Sequence, residues 1–182
     1  MNLNDYLSHW DKALEGGIYL ESYADYLSLN RVRFNRNYKT FKASEEFVKV
    51  SQRVSKPTHW IIITEPWCGD AAQSVPVLLR LLEHIPSASY SLSLRDQGSL
   101  IDQYLTNGGK GILKVIVRDD QGNDLMVWGP RTHQAQELFN GLKAQGVELH
   151  VLHESLHGWY AKDQGKSLEY EFLALVQNLF KL

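Results

Sequence analysis

The single cysteine of the chain, Cys68, is the residue with the clearest capacity for chemistry. It follows an apolar run containing three consecutive isoleucines, residues 61–63, and then Pro66. From Gly69 to Glu83 the apolar residues recur at helical spacing. This pattern predicts a buried strand, a turn and an amphipathic helix. Cys68 would lie over the helix N-terminus, where backbone N–H groups and the dipole favour a thiolate.

Two carboxylates flank the cysteine, Glu65 and Asp70. Asp70 falls in the first helical turn, where it would compete for the exposed N–H groups and repel a thiolate. Glu65, if protonated in a low-dielectric site, would deliver a proton to a leaving thiol. The alternative for both residues is structural, a surface charge at the strand end and a charge that stabilises the helix.

A second motif, His153-Glu154-Ser-Leu-His157, satisfies the H-E-x-x-H pattern of zinc hydrolases. Against that function, the chain has seven histidines, Gly158 follows at once, and no third ligand stands at a convincing spacing. The alternative is an amphipathic helix with solvated histidines, or adventitious surface metal binding together with His150. We expect no metal site and no cofactor.

Length and composition indicate one soluble domain. The chain has 182 residues, 43% of them hydrophobic, and a formal net charge of -2. This charge gives no electrostatic footprint for nucleic acid. No apolar run approaches the ~18 residues of a membrane span, and no leader pattern is present. We therefore expect a cytoplasmic protein without nucleic-acid or membrane partners.

Helical periodicity dominates residues 1–56, which we interpret as a helical N-terminal extension. The pattern predicts helices at 4–15 and 44–55 and continues through 19–27. Between the helices lies a basic run that could face an anionic ligand but fits a solvated face: Arg31, Arg33, Arg36, Lys39 and Lys42.

The residues from 57 onwards alternate between strand and helix patterns. The patterns predict a strand at 90–95 and a short helix near 100–105. Two further strands, 113–117 and 125–128, would form a hairpin whose loop contains Gly122. A helix at 131–144 and a last helix capped by Ser167 would follow. Residues 57–145 would form the core of the domain, and 146–182 a C-terminal helical segment.

The string Trp67-Cys68-Gly69 after a buried strand resembles the first half of the thioredoxin active-site motif, and Pro76 falls where thioredoxins carry a helix proline. The likeness covers roughly residues 57–145. The wider string, Glu65 to Ala72, is similar to a bacterial branch of thioredoxin-like proteins with a single cysteine. The resemblance implies an α/β thioredoxin-like fold, with a central mixed sheet and helices on both faces.

Three positions depart from ordinary thioredoxins. Ala71 replaces the resolving cysteine, so a dithiol cycle within one chain is impossible. Leu113 occupies the position of the family's cis-proline. A cis bond at leucine would cost about 3 kcal/mol, so we expect a trans bond and a reshaped groove. Ile62 stands where thioredoxins carry a buried acid.

The resemblance also implies which residues border Cys68. Trp67 and Gly69 belong to the motif, and Leu113 lies at the cis-proline position. Gly129 is at the family's spacing beyond that position. Trp128, Gly129 and Arg131 lie at the end of the last strand, near the motif helix in the fold that the chain resembles, and Arg131 would be the nearest cation for a thiolate. We expect Trp67, Gly69, Leu113, Trp128 and Arg131 to form the substrate-binding surface.

Two functions follow from these residues. In the first, Cys68 acts as a monothiol nucleophile on a disulfide or sulfenic acid, and an external thiol such as glutathione resolves the mixed disulfide. The partners would then be protein thiols or disulfides, or a low-molecular-weight thiol. In the second, the domain is redox-inactive and its motif surface binds another protein. Oligomeric state is not encoded in any recognisable pattern.

Overall fold

A four-stranded sheet surrounded by seven helices is the framework of the computed structural model, which describes residues 1–182. The helices are α1 (Leu3–Glu15), α2 (Ala24–Thr40), α3 (Glu45–Ser51), α4 (Gly69–Leu82), α5 (His133–Ala144), α6 (Leu149–Asp163) and α7 (Lys166–Phe180), and the strands are β1 (Thr58–Thr64), β2 (Ala88–Leu94), β3 (Lys114–Arg118) and β4 (Asp124–Trp128). Short 3-10 turns lie at Glu21–Tyr23 and Leu100–Gln103.

The sheet is mixed, with strand order β2-β1-β3-β4. Strand β1 pairs in parallel with β2 and antiparallel with β3, and Ile62 lies between Leu92 and Val115. Every residue of β1 except His59 is buried, because both faces of this strand are covered. The predicted α/β fold, a mixed sheet with helices on both faces, is therefore confirmed.

The predicted hairpin is also present, formed by β3 and β4 in antiparallel register. The Asp119 carboxylate accepts the N–H groups of Gln121 and Asn123 in the connecting loop. Gly122 has a φ of 85°, a value that glycine adopts without the strain of a side chain. The loop is therefore closed by local hydrogen bonds and by one glycine.

The N-terminal helices differ from expectation mainly in the extent of α2, and α3 ends at Ser51, four residues before the predicted end. Helix α1 forms as predicted, with Asn2 accepting the N–H of Asp5 in a capping box. Most of the basic run lies within a helix rather than between helices, because α2 extends to Thr40, and only Lys42 follows it. Arg31 pairs with Asp11 at 2.9 Å and is largely buried, so it is not part of a solvated face. Packing of α2 against α4 supports a helix where periodicity alone had suggested a break.

The C-terminal segment forms two helices. Helix α6 continues through Gly158 to Asp163. The prediction that Ser167 caps the last helix is wrong, because Gly165, in a left-handed conformation with φ 83°, precedes its first residue. Ser167 lies inside α7, and its N–H donates to the Asp163 carboxylate.

The expectation of a trans bond before Leu113 is wrong, since the Ile112–Leu113 peptide is cis. The Leu113 side chain is fully buried. A Cβ at Gly129 would lie only 2.2 Å from the Leu113 carbonyl oxygen, so the two segments are in close contact. Tertiary packing thus overrides the intrinsic preference of a non-proline peptide for trans.

None of the seven helices combines the length and the apolar character needed to cross a bilayer.

Gly165 is a point where the fold tolerates no side chain. A Cβ there would approach Val77 at 2.9 Å and Phe41 at 3.1 Å, and the positive φ adds backbone strain. We expect Gly165→Ala to lower the free energy of unfolding by about 2–4 kcal/mol, from overpacking plus left-handed strain. Gly146→Ala is the matched control, because Gly146 has φ 68° but no atom within 4 Å. It should cost about 1 kcal/mol. Urea denaturation measures both, and equal losses would contradict the packing argument.

Candidate functional site

Cys68 lies at the start of α4 but is almost inaccessible, with 8% of its surface exposed. Its sulfur accepts the N–H of Ala71 at 3.5 Å and donates to the carbonyl oxygen of Ile112 at 3.8 Å. Burial, reinforced by the charge of Asp70, raises the pKa of Cys68 to about 12, although the Ala71 N–H and Arg131 act in the opposite direction. The side chain is therefore a protonated thiol at neutral pH and serves as a helix N-cap.

Asp70 is buried beside Cys68, and both of its carboxylate oxygens have a partner. Arg131 approaches one carboxylate oxygen at 2.6 Å, and the Tyr160 hydroxyl donates to the other at 2.8 Å. The Arg131 guanidinium also lies over the ring of Phe139, 4.1 Å from its centroid. These contacts join α4, the segment before α5, and α6 around one carboxylate.

A pocket of about 300 Å³ opens beside Cys68. Its lining comes from three parts of the chain: Tyr23 and Tyr26 from the N-terminal segment, Trp67 to Asp70 and Arg131 from the centre, and His153, Leu156 and His157 from α6. Both terminal segments thus overhang the motif, which is recessed rather than displayed on an open face.

Helix α6 also packs against the motif at Gly69. A Cβ at this glycine would lie 2.6 Å from the His157 ring. The Nδ1 atom of His157 lies 3.3 Å from the Gln73 side-chain nitrogen on α4. Burial, with smaller contributions from Arg33 and His153, lowers the pKa of His157 to about 3. The histidine is therefore neutral and packed rather than solvated, contrary to the sequence-based interpretation.

Trp67 forms the aromatic wall of the pocket. Its ring stacks on Tyr23 with centroids 5.2 Å apart and planes 17° from parallel. The Arg95 guanidinium lies 4.5 Å from the Trp67 ring centroid. On α2, Asn30 is fully buried and donates to the Pro66 carbonyl oxygen at 3.2 Å. The turn before Cys68 is thus held from both sides.

Glu65 is buried, but its carboxylate is directed to other partners than the thiol. The Tyr19 hydroxyl donates to one oxygen at 2.6 Å, and the N–H of Asp96 donates to the other at 3.0 Å. Burial raises the pKa of Glu65, while these two hydrogen bonds lower it. Glu65 is not among the residues that line the Cys68 pocket. Its role as a proton donor stays a prediction.

Only some of the predicted substrate-binding residues line the pocket beside Cys68. Trp67, Gly69 and Arg131 line the pocket, whereas Leu113 and Trp128 do not. Trp128 instead donates its indole N–H to Glu171 on α7 at 2.9 Å. Arg131 lowers the pKa of the Cys68 thiol, but its guanidinium is paired with Asp70 at 2.6 Å.

The H-E-x-x-H motif lies on one helix, as such a motif requires. No group of three or more His, Cys, Asp or Glu side chains has a geometry that could hold a metal ion. His153 and His157 face the Cys68 pocket instead, while Glu154 is exposed. The motif therefore belongs to the wall of the site.

Sequence reasoning missed four contributors to this site: Tyr23, Tyr26, Asn30 and Tyr160. The spacing of His153, Leu156, His157 and Tyr160 is the one signal that could have revealed α6, because residues three or four apart share a helix face. Nothing local in the sequence distinguishes the other three residues.

A family model described as thioredoxin matches residues 17–145. Because this match covers most of the chain, the protein belongs to that thioredoxin family. The match includes the segment of Tyr23 and Tyr26 as well as the Cys68 motif.

Two solved structures share the fold. A protein of unknown function from Pseudomonas aeruginosa has a TM-score of 0.57 and 15% identity, with 91% of this chain and 89% of the other covered. An HIV epitope scaffold has a TM-score of 0.56 and 15% identity, covering 95% and 98% of the two chains. At this identity the likeness concerns the fold alone. Comparison with curated proteins finds no match.

The contact between Gly69 and His157 can be tested by a double-mutant cycle. We expect Gly69→Ala to lower the free energy of unfolding by about 1–3 kcal/mol, because the added methyl overlaps the imidazole. In the His157→Ala background the same change should cost nothing or stabilise slightly, since alanine is the better helix former. Chemical denaturation of the four proteins gives the coupling. Additive effects would show that α6 does not pack on Gly69 in solution.

The low pKa of His157 makes stability depend on pH. Since the folded state binds this proton only near pH 3 and an unfolded histidine binds it near pH 6.5, unfolding takes up a proton between those values. The stabilisation is complete above about pH 6.5 and is lost as the pH falls. His157→Gln should flatten the pH dependence of the unfolding free energy by up to about 1.4 kcal/mol per pH unit. His133→Gln, at an exposed histidine outside the site, is the matched control for the exchange.

Proposed function

We propose that this protein is a redox-inactive member of its family that binds a small ligand in the pocket beside Cys68. The observation that carries this proposal is the state of the thiol, which is buried, caps α4 and has a pKa of about 12. A protonated, enclosed thiol is neither a nucleophile nor a leaving group at neutral pH. Ala71 removes the second thiol that a dithiol cycle needs.

The shape of the site supports a small ligand over a protein partner. Tyr23, Tyr26 and α6 cover the motif and enclose a pocket of about 300 Å³ beside it. This volume is at the lower end of the range for small-molecule sites. The stacked Trp67 and Tyr23 rings supply an apolar wall, and Arg131, His153 and His157 supply polar contacts. Such a lining suits a compact molecule with an aromatic or apolar part.

The monothiol oxidoreductase is the second candidate, because Cys68 does line the pocket and Arg131 lowers its pKa. In that reaction the Cys68 thiolate attacks one sulfur of a disulfide, the S–S bond breaks, and the other sulfur leaves as a thiolate. A second external thiol, such as glutathione, then attacks the mixed disulfide, releasing Cys68 and a new disulfide. This candidate requires a substantial thiolate population at neutral pH.

The pH dependence of Cys68 alkylation by iodoacetamide separates the two candidates. We expect the folded protein to react far more slowly than the urea-unfolded chain between about pH 6 and pH 9, with no titration midpoint below the ordinary value of about 8.5. Asp70→Asn should raise the rate by lowering the thiol pKa, because the neutral amide no longer repels the thiolate. Asp96→Asn, at a carboxylate outside the pocket, is the matched control and should change little.

Oxidised glutathione provides the complementary measurement. Mass spectrometry after incubation should detect no glutathionylated Cys68 in the folded protein. A midpoint well below 8.5 together with rapid, reversible glutathionylation would reject the redox-inactive proposal and support the monothiol enzyme.

A further inference from the structure

A second groove lies on another part of the molecule, where the end of α2, the start of α3 and the turn between α6 and α7 meet. Its volume is about 660 Å³, larger than the pocket at Cys68. The lining is mostly polar, with Phe41 and Ala161 as its apolar members. None of these residues lines the Cys68 pocket, so the groove is a separate feature.

Three cationic side chains line this groove, Arg36, Lys42 and Lys166. None of the three has a carboxylate oxygen within 4 Å of its charged group. Five arginines elsewhere in the protein do have such a partner: Arg31, Arg80, Arg95, Arg118 and Arg131. Arg36 is held by neutral acceptors, with Nη2 3.3 Å from the Gln73 side-chain oxygen and Nε 3.3 Å from that of Asn37. Its orientation is thus fixed while its charge stays uncompensated.

Two acidic residues near the groove already accept hydrogen bonds from backbone N–H groups. Glu169 lines it, and one of its oxygens accepts the backbone N–H of Ser44 at 2.5 Å. Asp163 accepts the N–H of Ser167 at the first turn of α7. The three cations and the Glu169 carboxylate leave the groove with a formal charge of +2 (three positive minus one negative). The N-terminal end of α7 at Lys166 adds a positive potential, whereas the C-terminal ends of α2 and α6 oppose it, so the positive charge of the groove comes from its side chains.

We infer that this groove binds the phosphate group of a small phosphorylated molecule. A phosphate monoester carries about -1.5 to -2 charge at neutral pH, which matches the groove, whereas a single carboxylate carries half of that. A guanidinium and two ammonium groups supply donors to several phosphate oxygens. The volume exceeds what the ion alone would fill, so the remainder of the ligand would lie along Phe41 and Ala161.

Isothermal titration calorimetry with inorganic phosphate, ribose 5-phosphate, ADP and unphosphorylated ribose tests this inference. We expect saturable binding of the phosphorylated sugar or nucleotide, weaker binding of inorganic phosphate, no binding of ribose, and loss of affinity with added salt. Failure of all three phosphate compounds to bind in the millimolar range would overturn the inference. Equal affinity for phosphate and both larger compounds would overturn the assignment to a phosphorylated molecule.

Two pairs of lysine substitutions, one inside the groove and one outside it, test whether the phosphate compounds bind in the groove. Lys42→Gln with Lys166→Gln should weaken affinity by about tenfold or more, because each change removes a charge-assisted contact. Lys39→Gln with Lys162→Gln removes the same charge from the same part of the surface, outside the groove lining, and should have little effect. All four lysines are exposed, so these variants keep the fold. Equal losses in the two pairs would show non-specific attraction and overturn the site.

Discussion

The buried carboxylate of Asp70 is the constraint on which the site depends. A charge in this position must be paired, since an unpaired buried carboxylate would cost several kcal/mol. Arg131 and Tyr160 supply the pairing and bring the segment before α5 and the helix α6 onto the start of α4. The same ion pair limits how far Arg131 can stabilise a Cys68 thiolate, because the guanidinium is already paired with Asp70.

The recessed motif and the inert thiol have a common origin. The turn before α4 is covered from two sides, because Tyr23 stacks on Trp67 and His157 packs on Gly69. Covering the turn excludes water, and the loss of water raises the pKa of Cys68. The covering helices therefore create a ligand pocket and suppress thiolate chemistry at the same time.

The sequence predicted the features that depend on local residue preferences, such as strands and helices. It did not predict the features that depend on tertiary packing. The three isoleucines of β1 and the helical spacing after Gly69 predicted the strand, the turn and the position of Cys68. The cis bond at Leu113 was missed because a leucine gives no local signal for it in the sequence. The role of α6 was missed because His153 and His157 match a metal motif, and only the fold places them opposite Cys68.

The side-chain amide of Gln73 determines the tautomer of His157. Its oxygen accepts from Asn37 at 2.8 Å and from Arg36, so its nitrogen faces Nδ1 of the imidazole. An amide nitrogen can only donate, and a neutral imidazole carries one proton, which must therefore be on Nε2. Nε2 lies on the side of the ring that packs against Gly69. The wall of the pocket thus offers a fixed hydrogen-bond donor there and no lone pair to receive a proton from Cys68.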